Sequence, residues 1–143
     1  MKLTVNIQGI EEVIDGINDM VEPHKVASVM GKALAVVERA AKEKAPKGTG
    51  ELRRSISSRV ETNNGEIKGV VFTPLEYAPY VEFGTGLFAE AGNGRKDVPW
   101  HYQDDEGNWH TTSGQHPQPY MRPALNENRT KVLRILREGL VND

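Results

Sequence analysis

Four histidines, His24, His101, His110 and His116, are the first residues to test for chemistry. His101 and His110 bracket Asp104 and Asp105 in "WHYQDDEGNWH", where a hairpin could bring both imidazoles to one zinc ion with a carboxylate beside them. The spacing fits no recognised metal motif, since neither H-E-x-x-H nor C-x-x-C occurs, so exposed polar positions on a hairpin face are the simpler reading. The run Asp104 to Glu106 reads as a solvated turn, because acidic residues are turn-forming and normally exposed. "SGQ" and "GTG" lack the G-x-S-x-G serine elbow. "AGNGRKD" lacks the spacing of a phosphate loop, and "GTGLFAEAG" follows no strand of a βαβ unit. Cysteine is absent, which removes disulfides, thiolate catalysis and cysteine metal sites. No catalytic constellation or cofactor site emerges, and the expectation is a protein that is not an enzyme.

Basic residues offer a second chemistry. Lys47, Arg53, Arg54 and Arg59 surround "LRRS" and could touch phosphate. No aromatic residue is interleaved with them, so a solvated face or a subunit contact is the alternative. The chain as a whole carries 18 Lys+Arg against 20 Asp+Glu, a net charge of −2, whereas nucleic-acid-coating domains usually show a basic excess. "NRT" at Asn128 matches a glycosylation sequon, but no secretory signal accompanies it.

These residues need elements to hold them. Leu3, Val5 and Ile7 alternate with polar neighbours and predict a strand; Ile10, Val13, Ile14, Ile17 and Val21 predict a helix closed by Pro23. Val26, Val29, Met30, Ala33, Leu34, Val37 and Ala41 form one apolar stripe of an Ala-rich helix that Pro46 and Gly48 stop. "SISSRVETNNGEIKGVVF" predicts a hairpin turning at Asn64-Gly65. "LEYAPYVEF" predicts a short helix ended by Gly84, with Tyr77, Tyr80 and Val81 on its core face. The glycine-rich stretch to about Asp97 shows no periodicity. "VPWHYQDDEGNWHTT" predicts a second hairpin, with Trp100 and Tyr102 facing Trp109 and Thr111. Leu125, Val132, Leu133, Leu136 and Leu140 predict a last helix with Pro123 in its first turn. The fold class is α+β: a small antiparallel sheet packed against a long Ala-rich helix and a C-terminal helix.

At 143 residues the chain has the size of a single domain, 1–143, within which 84–118 reads as an extended glycine-rich loop and hairpin. Loops above ~15 residues are uncommon in small domains and usually functional or ordered by partners. This one carries Leu87, Phe88, Trp100 and Trp109, apolar groups that call for a covering surface. The expectation is therefore an assembly protein whose arm waits for another chain. The start of the sequence alternates and lacks an unbroken apolar run, so it does not read as a signal peptide, and no stretch is apolar enough to span a membrane.

The order "GELRRSI", "YAPYVEFGTG", an insertion, then "GQHPQPYMRPAL" resembles the tail-component family of long-tailed bacteriophages. That is the neck or tail-completion group, similar in kind to minor tail protein Z. The paired signature is Tyr80-Val81-Glu82-Phe83-Gly84-Thr85-Gly86 with Pro119-Tyr120-Met121-Arg122-Pro123-Ala124-Leu125. The resemblance implies a virion structural protein of the head–tail junction, made in the host cytoplasm, without enzymatic activity or cofactor. Its implied partners are its own copies in a ring, for which a hexamer is one stoichiometry, the head-completion or connector proteins, and the tail terminator or tail tube. DNA would at most pass through the ring. It further implies that Tyr80 and Phe83 pack in the core against Met121 and Leu125. Glu82 would pair with Arg122 or Arg53, and Gly84 and Gly86 would let the chain leave the helix at positive φ. Arg53, Arg54, Leu87, Phe88, Trp100, Trp109 and Arg122 are the interface candidates. A nucleic-acid-contacting accessory protein using Lys47, Arg53, Arg54 and Arg59 is the alternative.

Overall fold

The apolar stripe of the Ala-rich segment organises the larger of two units. A computed structural model describes residues 2–5, 23–63 and 66–141. Helix α1, Pro23–Lys44, buries Val26, Val29, Met30, Ala33, Leu34, Val37 and Ala41, every member of the predicted stripe. Pro23 opens this helix, where a missing N–H is harmless because the first-turn amides have no intrahelical partner. The predicted helix over 10–21 lies outside the described residues.

A one-turn helix, α2 (Glu51–Ser55), follows Gly50 and buries Leu52. The first predicted hairpin then forms β2 (Ser57–Asn63) and β3 (Glu66–Phe72), antiparallel, with Asn63 opposite Glu66. Strand β1, Lys2–Val5, pairs antiparallel on the other side of β3, giving the order β1-β3-β2. Val60 stands opposite Gly69, and Leu34 of α1 fills the space over that glycine: a Cβ there would lie 2.6 Å from Leu34 Cδ2. One face of the sheet thus packs on α1. Helix α4, Met121–Val141, lies along α1 and buries Ala124, Leu125, Val132, Leu136 and Leu140. A Cβ on its Gly139 would meet Val29 Cγ1 at 2.5 Å, so the two helices approach closely there. The unit is the predicted α+β packing of a small antiparallel sheet on a long helix and a C-terminal helix.

Residues 75–119 make a second compact unit, distinct from the one formed by 1–74 with 120–143. It holds helix α3 (Ala78–Phe83), a 3-10 turn at Gly86–Phe88, and the ribbon of β4 (Trp100–Gln103) with β5 (Trp109–Thr112).

Candidate assembly surface

Helix α3 has its polarity inverted. Its buried face carries Ala78 and the carboxylate of Glu82, both 0% exposed. Tyr77, Tyr80 and Phe83 follow one another at three-residue steps, which places them together on the remaining arc of the helix. Tyr80 is 59% exposed, Phe83 40% and Tyr77 39%. The expected packing of Tyr80 and Phe83 in the core is therefore wrong. The aromatics make an outward stripe, while Tyr120, Met121, Ala124 and Leu125 supply buried groups of the other unit. Periodicity grouped Tyr77 and Tyr80 with Val81 on a core face, whereas Tyr77 and Tyr80 stand exposed together with Phe83. It carried no information about which side of a six-residue helix the rest of the chain would cover.

The glycine-rich segment is pinned at its root, against the expectation of a pliant arm. The Thr85 amide donates to the Gln115 carbonyl at 2.9 Å, and the Leu87 amide to Ser113 at 3.0 Å. The Glu90 amide returns to Phe83 at 2.8 Å, and Gln118 donates to Val81 at 2.8 Å. Thr85 Oγ1 accepts the amide of Gln115 at 2.9 Å. The bond from Glu90 closes 83–90 on itself, and the other four lace 81–87 to 113–118. The expected positive φ holds at Gly84 (81°) and Gly86 (59°). The additional reason for glycine is space: a Cβ at Gly84 would sit 2.7 Å from the Phe88 carbonyl oxygen, and one at Gly86 would run into the backbone of Ser113 and Gly114. Phe88 is half-buried with its ring 3.9 Å from that of His116. Leu87 remains exposed.

The ribbon corrects two further expectations. Gln103 pairs with Trp109, so Tyr102 faces His110 and Trp100 faces Thr112. Because a strand alternates its faces, Trp100, Tyr102, His110 and Thr112 share one side and His101, Gln103, Trp109 and Thr111 the other. Trp100 and Tyr102 do not face Trp109 and Thr111, and His101 and His110 cannot converge on one metal. His101 Nδ1 instead bonds Thr111 Oγ1 at 2.8 Å, and the His110 ring stacks on Tyr102 at 5.2 Å. Among the described residues no group of three or more metal-ligating side chains gathers.

Asp104 organises the tip. Its Oδ1 accepts the amides of Glu106 (3.0 Å) and Asn108 (2.8 Å), and its Oδ2 meets His110 Nε2 at 2.7 Å. The His110 hydrogen bond first, then the Asn108 amide, hold this carboxyl below its ordinary pKa. Trp109, beside this tip, is 70% exposed.

The basic residues do not gather into a phosphate-facing fan. Arg59 is drawn to Glu61, with its Nε 2.7 Å from Oε1, and lies over the Phe72 ring at 4.7 Å. Arg54 turns to the Thr49 carbonyl, and Lys47 is exposed. Arg53 is half-buried, and its Nε is enclosed without a hydrogen-bond partner among the described residues.

Chemically, then, the second unit presents apolar and acidic groups on a laced backbone. Tyr77, Tyr80, Phe83, Leu87, Tyr102 and Trp109, the exposed large hydrophobic side chains among the described residues, all fall within 75–119. That is the character of a protein–protein contact surface. The chain matches the family described as "Bacteriophage HK97-gp10, putative tail-component" over residues 12–84. It belongs to this family of phage tail components. It is accordingly a structural protein of the virion that interacts with other virion proteins. The match takes in the aromatic stripe and ends at Gly84, so the Pro119–Leu125 half of the signature lies beyond it. Neither curated proteins nor solved structures gave a match. Among the described residues no helix is long and apolar enough to cross a membrane.

Proposed function

We propose that the chain is a non-enzymatic neck or tail-completion subunit, acting at the head–tail junction by assembling into a ring. The observation that carries this reading is the concentration of exposed aromatic surface in 75–119, with Tyr80 59% exposed and Trp109 70%. The five exposed aromatics offer on the order of 500 Å² at ~200 Å² per ring residue. One side of a standard interface covers about 800 Å², roughly 57% of it apolar, so the aromatics together match the apolar area of about one contact, divided between the α3 stripe and the two sides of the ribbon. A ring uses such a surface repeatedly, because one heterologous contact closes on itself when the rotation permits. The ring would meet the head connector or head-completion protein on one side and the tail terminator or tail tube on the other, with DNA passing through.

Cryo-microscopy of intact particles tests this reading. Density for the chain as a closed ring between connector and tail tube supports it, and density along the tail tube or at the distal tip refutes it. The alternative, nucleic-acid contact through Lys47, Arg53, Arg54 and Arg59, requires a complex that weakens with a log–log salt slope of about −0.9 per phosphate. Absence of binding at ~50 mM salt removes it.

A further inference from the structure

The two units carry opposite charge. Residues 75–119 hold seven carboxylates (Glu76, Glu82, Glu90, Asp97, Asp104, Asp105 and Glu106) against Arg95 and Lys96, a formal −5. The remaining 16 Lys+Arg and 13 Asp+Glu give the helical unit +3. The net −2 of the chain conceals this division.

Each unit also has a local feature matching the other. On the helical unit, α1 and α4 enclose an open groove of about 450 Å³, lined by Ala35, Val36, Arg39, Ala40, Glu43, Asn128 and Lys131. This lining combines three small apolar side chains with two cations, one carboxylate and one amide. Neighbouring cations are already engaged, Lys42 with Glu38 at 3.7 Å and Lys44 with Glu127 at 2.5 Å. Arg39 and Lys131 have no ion-pair partner among the described residues. On the second unit, the tip of the β4–β5 ribbon offers one large ring, Trp109, beside the carboxylates of Asp105 and Glu106. Both carboxylates are exposed and likewise unpaired among the described residues. A two-stranded ribbon is marginal in water by itself and gains most from a covering surface.

We propose that the α1–α4 groove of one copy receives the β4–β5 tip of the next. Trp109 lies against Ala35, Val36 and Ala40, and Asp105 and Glu106 meet Arg39 and Lys131. The occupant is a second copy of this chain, since the acidic tip and the groove with its unpaired Arg39 and Lys131 complement each other in charge within one sequence. The contact is heterologous, each copy giving a tip and a groove, as ring assembly demands. The inference rests on the ring reading above and names its contact.

The test uses two full-length variants. Trp109→Ala spoils the tip and keeps the groove; Arg39→Glu with Lys131→Glu spoils the groove and keeps the tip. All three residues are exposed, and thermal unfolding is used to check that both variants fold as the wild type does. Sedimentation at ~50 mM salt should show self-association of the wild type weakened by salt. Each variant alone should associate at least about tenfold more weakly. Mixed, the two should form a 1:1 pair and nothing larger, because one intact tip and one intact groove remain. Placing Asp105→Lys and Glu106→Lys in the Arg39→Glu, Lys131→Glu chain should restore self-association. A wild type still monomeric at ~1 mM, a Trp109→Ala variant that associates normally, or a mixture without the pair overturns the proposal. A Trp109→Ala variant that associates normally but is not incorporated into particles assigns the tip to another virion protein. Particle microscopy is independent of all these results, so a ring at the junction without complementation would sink this contact and leave the functional reading standing.

Discussion

At the scale of single residues, the second unit depends on a few positions where side chains have no room. Gly86 combines φ of 59° with the approach of the Ser113–Gly114 backbone. Neither neighbour can yield as a flexible side chain could. Gly86→Ala is expected to destabilise by about 1–3 kcal/mol. The loss should appear in hydrogen exchange as faster exchange at Thr85, Leu87 and Gln115, with α1 and α4 unchanged. Asp104 gives a pH dependence. Its folded pKa is depressed, so its contribution to the hairpin is complete above the ordinary carboxylate value and is lost as pH falls through the depressed one. NMR of the Asn108 and Glu106 amides should follow that acid titration, and Asp104→Asn should abolish it. A flat response in the wild type would show that the tip does not depend on the Asp104 charge.

At the scale of elements, the long helices followed from their pattern and the short one did not. The seven-member stripe of α1 spans several turns, so no rotation of the helix other than the observed one could bury it. Helix α3 has six residues, and its aromatic stripe and its Ala78–Glu82 face are equally available to a local reading. Tertiary contact chose the face with the carboxylate. The ribbon shows the same limit at the level of register: position parity alone decides that Tyr102 meets His110 and that Trp109 lies on the opposite side. Gly139 offers a test of element packing. Glycine to alanine inside a helix normally gains up to ~1 kcal/mol. Here the new Cβ would lie 2.5 Å from Val29 Cγ1, on a β-branched side chain with little freedom at χ1. Overpacking of this kind costs typically ~1–3 kcal/mol, so Gly139→Ala should lower the unfolding midpoint. An unchanged or raised midpoint would mean that α1 and α4 can separate without penalty.

At the scale of the whole molecule, chemistry and stability are divided between the units. The helical unit holds nearly all of the buried apolar residues, and 75–119 holds the exposed ones. The lacing of 81–87 to 113–118 gives that division a dynamic signature. In the isolated chain the amides of Thr85, Leu87, Glu90 and Gln118 should be protected, while those of 93–96 exchange fast. Uniformly rapid exchange across 84–118 would return the segment to the free arm that its composition suggests. Family membership agrees with the division. The matched span 12–84 takes in α1, the β2–β3 hairpin and the aromatic helix, and stops where the glycine-laced segment begins.

The sequence alone determined the α+β class, the buried stripe of α1, the β2–β3 hairpin, the absence of thiol chemistry and the resemblance to phage tail components. Each of these follows from composition, from a repeat sustained over many residues, or from a signature in two separated halves. Only the tertiary structure decided that the aromatics of α3 face outward and that the histidines of the ribbon part to opposite sides. It alone also showed the glycine-rich segment laced down at its root. The physical reason is common to all three: a short element presents more than one possible face, and the long-range backbone bonds and close approaches that select one leave no local periodicity.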